Sequence, residues 1–412
     1  MMQKQCMLFN TGSFLENKVI GMKQIFTDLH IHIGRTASGK AVKITGSRNL
    51  TLLNIIEYAS FQKGLDMIGI IDCHSPEVLM EMDTYIAEGR MTQKNGGGLE
   101  MDGITIIPGS ELEIYDDTCS GPIHVLCYLP TLNAMKGFSL WLSGKMKNIQ
   151  LSSQRIYVTG IELQRKVKEL GGLFIPAHIF TPFKSMYGSG VKQSLSEVFD
   201  PSLIDAVELG LSSNTEMADN IKELHAYPYV TNSDAHSLAK LGREYQILEL
   251  KEASFQELEK ALKGMDGRSI VANYGMDPLL GKYHETVCLK CHKPLGEEEA
   301  ACSSCGHKIV KKGVAARIQE LSTNSTKPER PPYIHQVPLE FIPGLGNKTL
   351  EKLLTYFSTE MQIIHAAPYE KLAEIVPVKI ADYIKAAREG NLSLTVGGGG
   401  RYGSVYIKEE NK

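Results

Sequence analysis

Six of the twelve histidines in this 412-residue chain sit at or near the ends of short β-rich runs that also carry carboxylates, all within the first 240 positions. The run IFTDLHIHI carries Asp28, His30 and His32 at alternate positions, so on a strand all three side chains leave the same face. Asp72-Cys73-His74 follows MIGII, Glu111 follows IIPGS, His124 lies in the next strand, His178 ends LFIPAH, and Asp234-Ala235-His236 ends YVTNS. A single buried histidine needs no function, but six at strand ends in one region do not have six independent structural explanations. Imidazole nitrogens and carboxylate oxygens without thiolates suit Zn, Mn or Fe, and one bridging carboxylate lets two or three ions sit close together. The chemistry such a group supports is metal-assisted hydrolysis.

The elements that must position these residues alternate. From residue 25 to about 235, β-rich runs are separated by helical patterns: a helix around LTLLNIIEYASFQKG, the strand ITIIPGSELEIY paired with PIHVLCYL, a long helix ending at Gly171-Gly172, and a helix around EMADNIKELHA. That repetition predicts an α/β barrel with its chemistry at the strand ends. The length allows two or three domains, one of them a complete barrel. With 42% apolar and 22% charged residues and no apolar run long enough to cross a bilayer, the composition is that of a globular protein. The N-terminal stretch lacks the apolar core of a signal peptide, so the expected location is the cytoplasm, with no membrane partner.

At this point the chain resembles the PHP (polymerase and histidinol phosphatase) family. The motifs carrying the resemblance are DLHIH at 28–32, DCH at 72–74, GSE at 109–111, His124, PAH at 176–178 and SDAH at 233–236. It implies a distorted (β/α)7 barrel holding two or three divalent ions, with Zn favoured and Mn or Mg as alternatives. Carried over residue by residue, it makes His30, His32, Glu111, His124, His178, Asp234 and His236 metal ligands, with Glu111 bridging and Glu111, His178 and Asp234 nearest the chemistry. Asp28 is expected to orient a ligand histidine. The second motif departs from the family's Thr-Asp-His, which leaves either Asp72 or His74 as its ligand and makes Cys73 a small core residue. His225 falls in a helical pattern and has no assigned role.

Beyond residue 281 the character changes. Cys288-x2-Cys291 and Cys302-x2-Cys305 have the spacing of a four-cysteine zinc ribbon, a closed structural site for one zinc ion; His292 and His307 are then not ligands. A proline-containing polar stretch, STNSTKPERPPY, reads as a linker, and IPGLGNKTLEKLL has the Gly-x-Gly turn and following helix of a helix-hairpin-helix element, whose amides can bind a DNA phosphate. The expected division is an N-terminal extension at 1–24, the catalytic barrel at 25–281, the ribbon at 282–312, a linker at 313–337 and a helical DNA-binding domain with a glycine-rich tail at 338–412. The last 131 residues are mildly basic and the rest mildly acidic, which permits a nucleic-acid partner without demanding one.

This order of barrel, ribbon, linker, IPGLG segment and GGGGRYG tail resembles the endonuclease Q family, DNA-repair nucleases of archaea and some bacteria. The loop GRTASGKAVKITGSRNLTLLN, VELGLSSN and NSDAH add to the resemblance. It implies hydrolysis of the phosphodiester bond on the 5′ side of uracil, hypoxanthine, xanthine and abasic sites in DNA. Candidate DNA contacts are Arg35, Lys43 and Arg48 in the loop after the first strand, Ser212 and Asn214, and Gly344, Gly346, Lys348 and Arg401 in the C-terminal region. The loop cations, with Lys40, read equally well as a solvated surface. Two other functions compete: a small-molecule phosphatase with the same ligands, and a non-catalytic DNA-binding protein with a decayed barrel. The first leaves some 130 extra residues without a use, and the nearly complete ligand set opposes the second.

Overall fold

The computed structural model of the chain describes residues 21–397 and 402–407, apart from Leu289, His292, Pro294, 296–300, Ile309 and Asn324. The N-terminal extension before residue 21 and Arg401, named above as a DNA contact, lie outside the described residues.

Seven strands form a ring: β1 Lys23–Ile31, β2 Met67–Ile70, β3 Ile104–Ile114, β4 Ile123–Tyr128, β5 Leu173–Pro176, β6 Val207–Glu208 and β7 Tyr229–Val230. The continuous apolar runs MIGI and LFIP are buried throughout, as strands covered on both faces must be. Going round, β1–β2 and β2–β3 are parallel, whereas β3–β4 and β4–β5 are antiparallel. The predicted pairing of ITIIPGSELEIY with PIHVLCYL is present, in a register that sets Glu113 opposite His124. Isolated bonds carry the sheet from β5 to β6: the Asp205 amide donates to the Phe174 carbonyl (3.0 Å) and Ile179 to Glu208 (2.9 Å). Parallel β6–β7 follows, and the ring closes where Ala235 and β1 exchange bonds, Ala235 to the His30 carbonyl (3.1 Å) and His32 to the Ala235 carbonyl (3.2 Å). This is the expected distorted barrel. Its distortion comes from the two antiparallel pairs and from joints made by single bonds.

Helices α1 Leu52–Glu57, α2 Pro76–Ala87, α3 Leu132–Ser143 and α4 Gly160–Glu169 connect the strands. The long helix expected before Gly171 is two shorter ones, because the chain turns out at Gly144 and re-enters under a Thr159 cap whose hydroxyl accepts the Glu162 amide. EMADNIKELHA is not one helix either: Asn214 caps a single turn at Thr215–Ala218, and a separate 3₁₀ turn spans Lys222–Ala226. Outside the ring, β8 Tyr245–Leu250 and β9 Ser269–Gly275 extend the first half of β1 in antiparallel fashion. Helix α5 Phe255–Lys263 covers this side, and its Phe255, Leu258 and Leu262 join a buried cluster with Leu29, Ile107 and Tyr128.

The stretch 313–337, expected as a linker, is built into the barrel instead. Helix α6 Val314–Leu321 buries Val314 and Ile318 in the main core, and Tyr333–His335 adds a parallel strand to β9. Between them, the Arg330 guanidinium bonds Asp219 Oδ1 (3.1 Å) and the Tyr227 carbonyl (2.6 Å) and lies 3.9 Å from the Tyr229 ring centroid. A cation with partners on three sides fastens a segment that its prolines keep extended.

Four helices follow: α7 Asn347–Phe357, α8 Glu360–His365, α9 Tyr369–Ile375 and α10 Val378–Arg388. They share a separate core of Leu339, Leu353, Ile363, Leu372 and Ile380. Two buried contacts dock them on the barrel: Lys63 Nζ to Glu360 Oε2 (2.8 Å), and the Tyr245 hydroxyl to His365 Nε2 (2.6 Å). Among the described residues no helix is long and apolar enough to cross a membrane.

Candidate metal centre and active site

The strand-end residues converge. Three sets of ligand atoms, His30–His32–Glu111, His32–Asp234–His236 and Glu111–His124–His178, each lie within 4.8 Å of one another. Glu111 joins them. Its Oε1 is 2.9 Å from His124 Nδ1, 3.4 Å from His178 Nε2 and 3.5 Å from His30 Nε2, and its Oε2 is 3.6 Å from His32 Nε2. Asp234 Oδ1 is the second hub, 3.5 Å from each of His30 Nε2, His32 Nε2 and His236 Nδ1.

Local backbone geometry aims these groups. His178 and Asp234 both hold positive φ, 31° and 46°, where side-chain-bearing residues are rare. Both lie just beyond their strands, β5 and β7. Gly210 makes room for His178: a Cβ there would stand 2.9 Å from His178 Cβ, and its own φ is +78°.

Ring orientation is set from behind. Glu208 receives His30 Nδ1 at 3.0 Å on both carboxylate oxygens, and Asp72 Oδ2 lies 3.1 Å from His32 Nδ1 while accepting the Ile33 amide at 2.7 Å. With Nδ1 engaged, Nε2 of each ring faces the cluster. Asp28, expected to orient a ring, instead accepts the backbone amides of Ser233 (3.1 Å), Gly242 (2.9 Å) and His30 (3.3 Å), so it braces the two ligand segments against each other. His74 lies outside the cluster, with Nδ1 bonded to Ser110 Oγ and Nε2 3.3 Å from the Leu151 carbonyl. Cys73 is fully buried in the core.

The electrostatics match a cation site. Burial opposes ionisation of Glu111, yet His124 and Lys43 outweigh it and hold the carboxyl well below its usual range. Burial likewise opposes Asp234, and His30, His32 and His236 bring it well below normal. Burial pushes His236 down to about 4, leaving a neutral imidazole with a lone pair to give. Among the described residues, buried Nε2 of His30, His32 and His124, Nδ1 of His178 and Oδ1 of Asp72 have no hydrogen-bond partner. Clustered orphan donors of this kind, in a core that satisfies most of its polar groups, fit metal ions.

The other expected site residues are dispersed. Lys43 turns into the centre, with Nζ 3.2 Å from Glu111 Oε2 and 2.5 Å from Ser153 Oγ. Arg35 bonds the Gly39 carbonyl (2.9 Å) of its own loop, and Arg48 is exposed. Ser212 is buried, and Asn214 spends its side-chain oxygen on the Met217 amide (2.9 Å). Gly344, Gly346 and Lys348 are exposed at the turn into α7, where Gly344 has φ +83°. The four cysteines meet: Cys288 and Cys305 sulfurs are 3.6 Å apart, Cys291 and Cys302 3.5 Å, and all four lie within 4.8 Å. The Cys291 amide, aided by that of Lys290, lowers Cys288 to about 6, toward the thiolate a zinc ribbon needs.

Glu208 was not anticipated. Its motif VELG carried a resemblance, but a glutamate in a two-residue buried strand reads as structure until its partner is known, and that partner is 178 positions away.

Comparison with known proteins decides the family. The fold superposes on the lesion-specific endonuclease PfuEndoQ from Pyrococcus furiosus with a TM-score of 0.82 and 34% identity, over 94% of this chain and 96% of that one. The chain belongs to the endonuclease Q family. It is therefore a metal-dependent endonuclease of DNA repair. A second endonuclease Q structure, a complex with a 27-mer duplex substrate bearing an abasic lesion at the active site, gives a TM-score of 0.81 and 33% identity over 94% of this chain and 97% of that one. In sequence, the chain is 57% identical over 385 residues to the uncharacterized protein YqxK of Bacillus subtilis, spanning 93% of this chain and 100% of YqxK. It is 38% identical over 257 residues to the uncharacterized protein MJ0043 of Methanocaldococcus jannaschii, covering 56% of this chain and 32% of that protein. No family model matches the sequence.

Proposed function

We propose that this endonuclease Q family member nicks duplex DNA on the 5′ side of uracil, hypoxanthine, xanthine and abasic sites, leaving a 3′-hydroxyl and a 5′-phosphate. The observation that carries the reading is the Glu111 carboxylate shared among His30, His32, His124 and His178, with Asp234 closing the group. We assign His30, His32, Glu111, His124, His178, Asp234 and His236 as ligands of two or three divalent ions. Asp72 and Glu208 hold ligand rings, and His74 is a core residue. Such ions supply a water nucleophile at neutral pH and neutralise phosphate charge.

The protein's own contribution is positioning. Glu208 and Asp72 fix the rings of His30 and His32, so the donor set is in place before substrate arrives. Asp234, about a third exposed, stands at the open side where a phosphodiester enters. Lys43, bonded to Glu111, is a cation within reach of the same oxygens and shares in holding the phosphate charge. A damaged base inside a duplex is out of reach, so recognition requires the nucleotide to leave the stack, which costs least for weakly paired or missing bases. The barrel carries the reaction, the cysteine site with one structural zinc holds the ribbon, and the helical unit with its exposed Gly344–Lys348 turn captures backbone phosphates. The test is activity on a uracil-containing duplex beside p-nitrophenyl phosphate. Nicking of the DNA with little turnover of the monoester supports the reading; the reverse result assigns a small-molecule phosphatase.

A further inference from the structure

Two adjacent strand ends run outward from the metal centre. Strand β3 carries Glu111 and Glu113 and ends at Ile114, with Tyr115 the next residue, and a short neighbouring strand, Arg155–Ile156, lies between Ser153 and Tyr157. The two are parallel, with Glu113 paired to Arg155 and Ile114 to Ile156. Alternate residues share a face. Glu111 and Ser153 bond each other inside the centre, and Glu113 lies 3.7 Å from His124 Nε2. Arg155, paired with Glu113, lies on the Glu113 side, and the Tyr115 and Tyr157 rings flank Arg155, with Tyr115 about 13 Å along the chain from Glu111 at ~3.3 Å per residue.

What stands there is chemically distinctive. The Arg155 guanidinium lies 4.8 Å from the Tyr115 ring centroid and 5.3 Å from that of Tyr157, and it donates to the Tyr115 carbonyl. Lys147 Nζ is 6.0 Å from the Tyr157 centroid, and Lys184 sits on Glu113 (2.9 Å). Tyr115 is 39% exposed and Tyr157 50%, so the rings are held in place yet still present open faces. Fixed aromatic rings interleaved with cations, beside a phosphodiesterase centre, are the recognition chemistry of unpaired nucleotides: bases stack while cations hold the backbone.

We propose that Tyr115 and Tyr157, clamped by Arg155, form a stacking platform for an unpaired base of the cleaved strand, a few nucleotides from the hydrolysed phosphate. This rests on the nuclease reading above. Opening a lesion site unpairs neighbours as well as the lesion, and the platform gives a displaced base somewhere to bind.

The test titrates the full chain against undamaged DNA, single-stranded and fully paired, by fluorescence anisotropy. Changing both tyrosines to alanine should weaken single-strand binding roughly 5- to 100-fold while moving duplex binding less than about 2-fold, and the Tyr115→Phe/Tyr157→Phe pair should bind like wild type. Unchanged single-strand affinity in the alanine pair, or an equal loss on both DNAs, overturns the platform. Nicking of a uracil-containing duplex by wild type is measured alongside. If wild type does not nick, the nuclease reading falls by itself; if it nicks and the alanine pair binds single strands normally, only the platform falls.

Discussion

Glu208 grips His30 through both carboxylate oxygens, each 3.0 Å from Nδ1, and also accepts the His178 amide (2.9 Å) and the Asn232 side-chain amide (2.8 Å). One buried carboxylate thus ties together three segments that supply the metal centre. Burial works to lower His30, but Glu208 and Asp234 outweigh it and hold the imidazole well above its usual value.

Glu208→Gln keeps the shape but removes the charge. We expect metal content or cleavage to fall roughly 10- to 100-fold, the range for partners that orient metal-bound histidines, with little change in melting temperature. Metal analysis of the purified variant beside nicking rates checks this. Full occupancy and full activity would remove Glu208 from the site.

Glu244 offers a pH test away from the ligands. Its Oε1 accepts the Met276 amide (2.8 Å), its Oε2 has no partner among the described residues, and burial pushes its carboxyl from 4.5 up to about 8. Between those values the unfolded chain ionises while the folded chain keeps its proton. Stability therefore falls as pH rises through this window, by up to roughly 1.4 kcal/mol per unit, and levels off above it. Glu244→Gln should lose that slope. Melting temperatures of both proteins at about pH 5 and pH 8 decide the point, and parallel pH dependences would contradict it.

How much of this was legible in the sequence depended on distance along the chain. The ligand motifs could be read because most are polar residues that follow an apolar run, as His178 follows β5 and Asp234 follows β7, where they are conspicuous. The β3–β4 pairing was legible for the same local reason. Lys43 looked like a surface cation because nothing near it in sequence reveals that its loop folds back over Glu111. The segment 313–337 read as a linker because its polar and proline residues lack periodicity. Arg330, whose partners Asp219 and Tyr227 lie over 100 positions away, is what fastens it.

The cysteine site should be independent of the barrel. Cys302→Ser should lose one zinc per chain and loosen the ribbon, while the barrel keeps its ions, since all their assigned ligands precede residue 240. Metal stoichiometry by mass spectrometry checks this, and a variant with unchanged zinc would contradict it.

Lys348, exposed in the first turn of α7, is assigned to backbone phosphate. Lys348→Ala should weaken DNA binding evenly across sequences and reduce the log–log salt slope by about one. An unchanged slope would remove this side chain from the interface.

The central claim is that the Glu111–Asp234 centre hydrolyses the bond 5′ of a damaged nucleotide. The most direct measurement is a product map, at single-nucleotide resolution, on an end-labelled duplex carrying one uracil or one abasic site. Wild type should give a single metal-dependent nick immediately 5′ of the lesion, with a 3′-hydroxyl and a 5′-phosphate. Asp234→Asn should bind the same duplex and leave it whole. Release of free base, a cut on the 3′ side, or cleavage by Asp234→Asn at the wild-type rate would contradict the account.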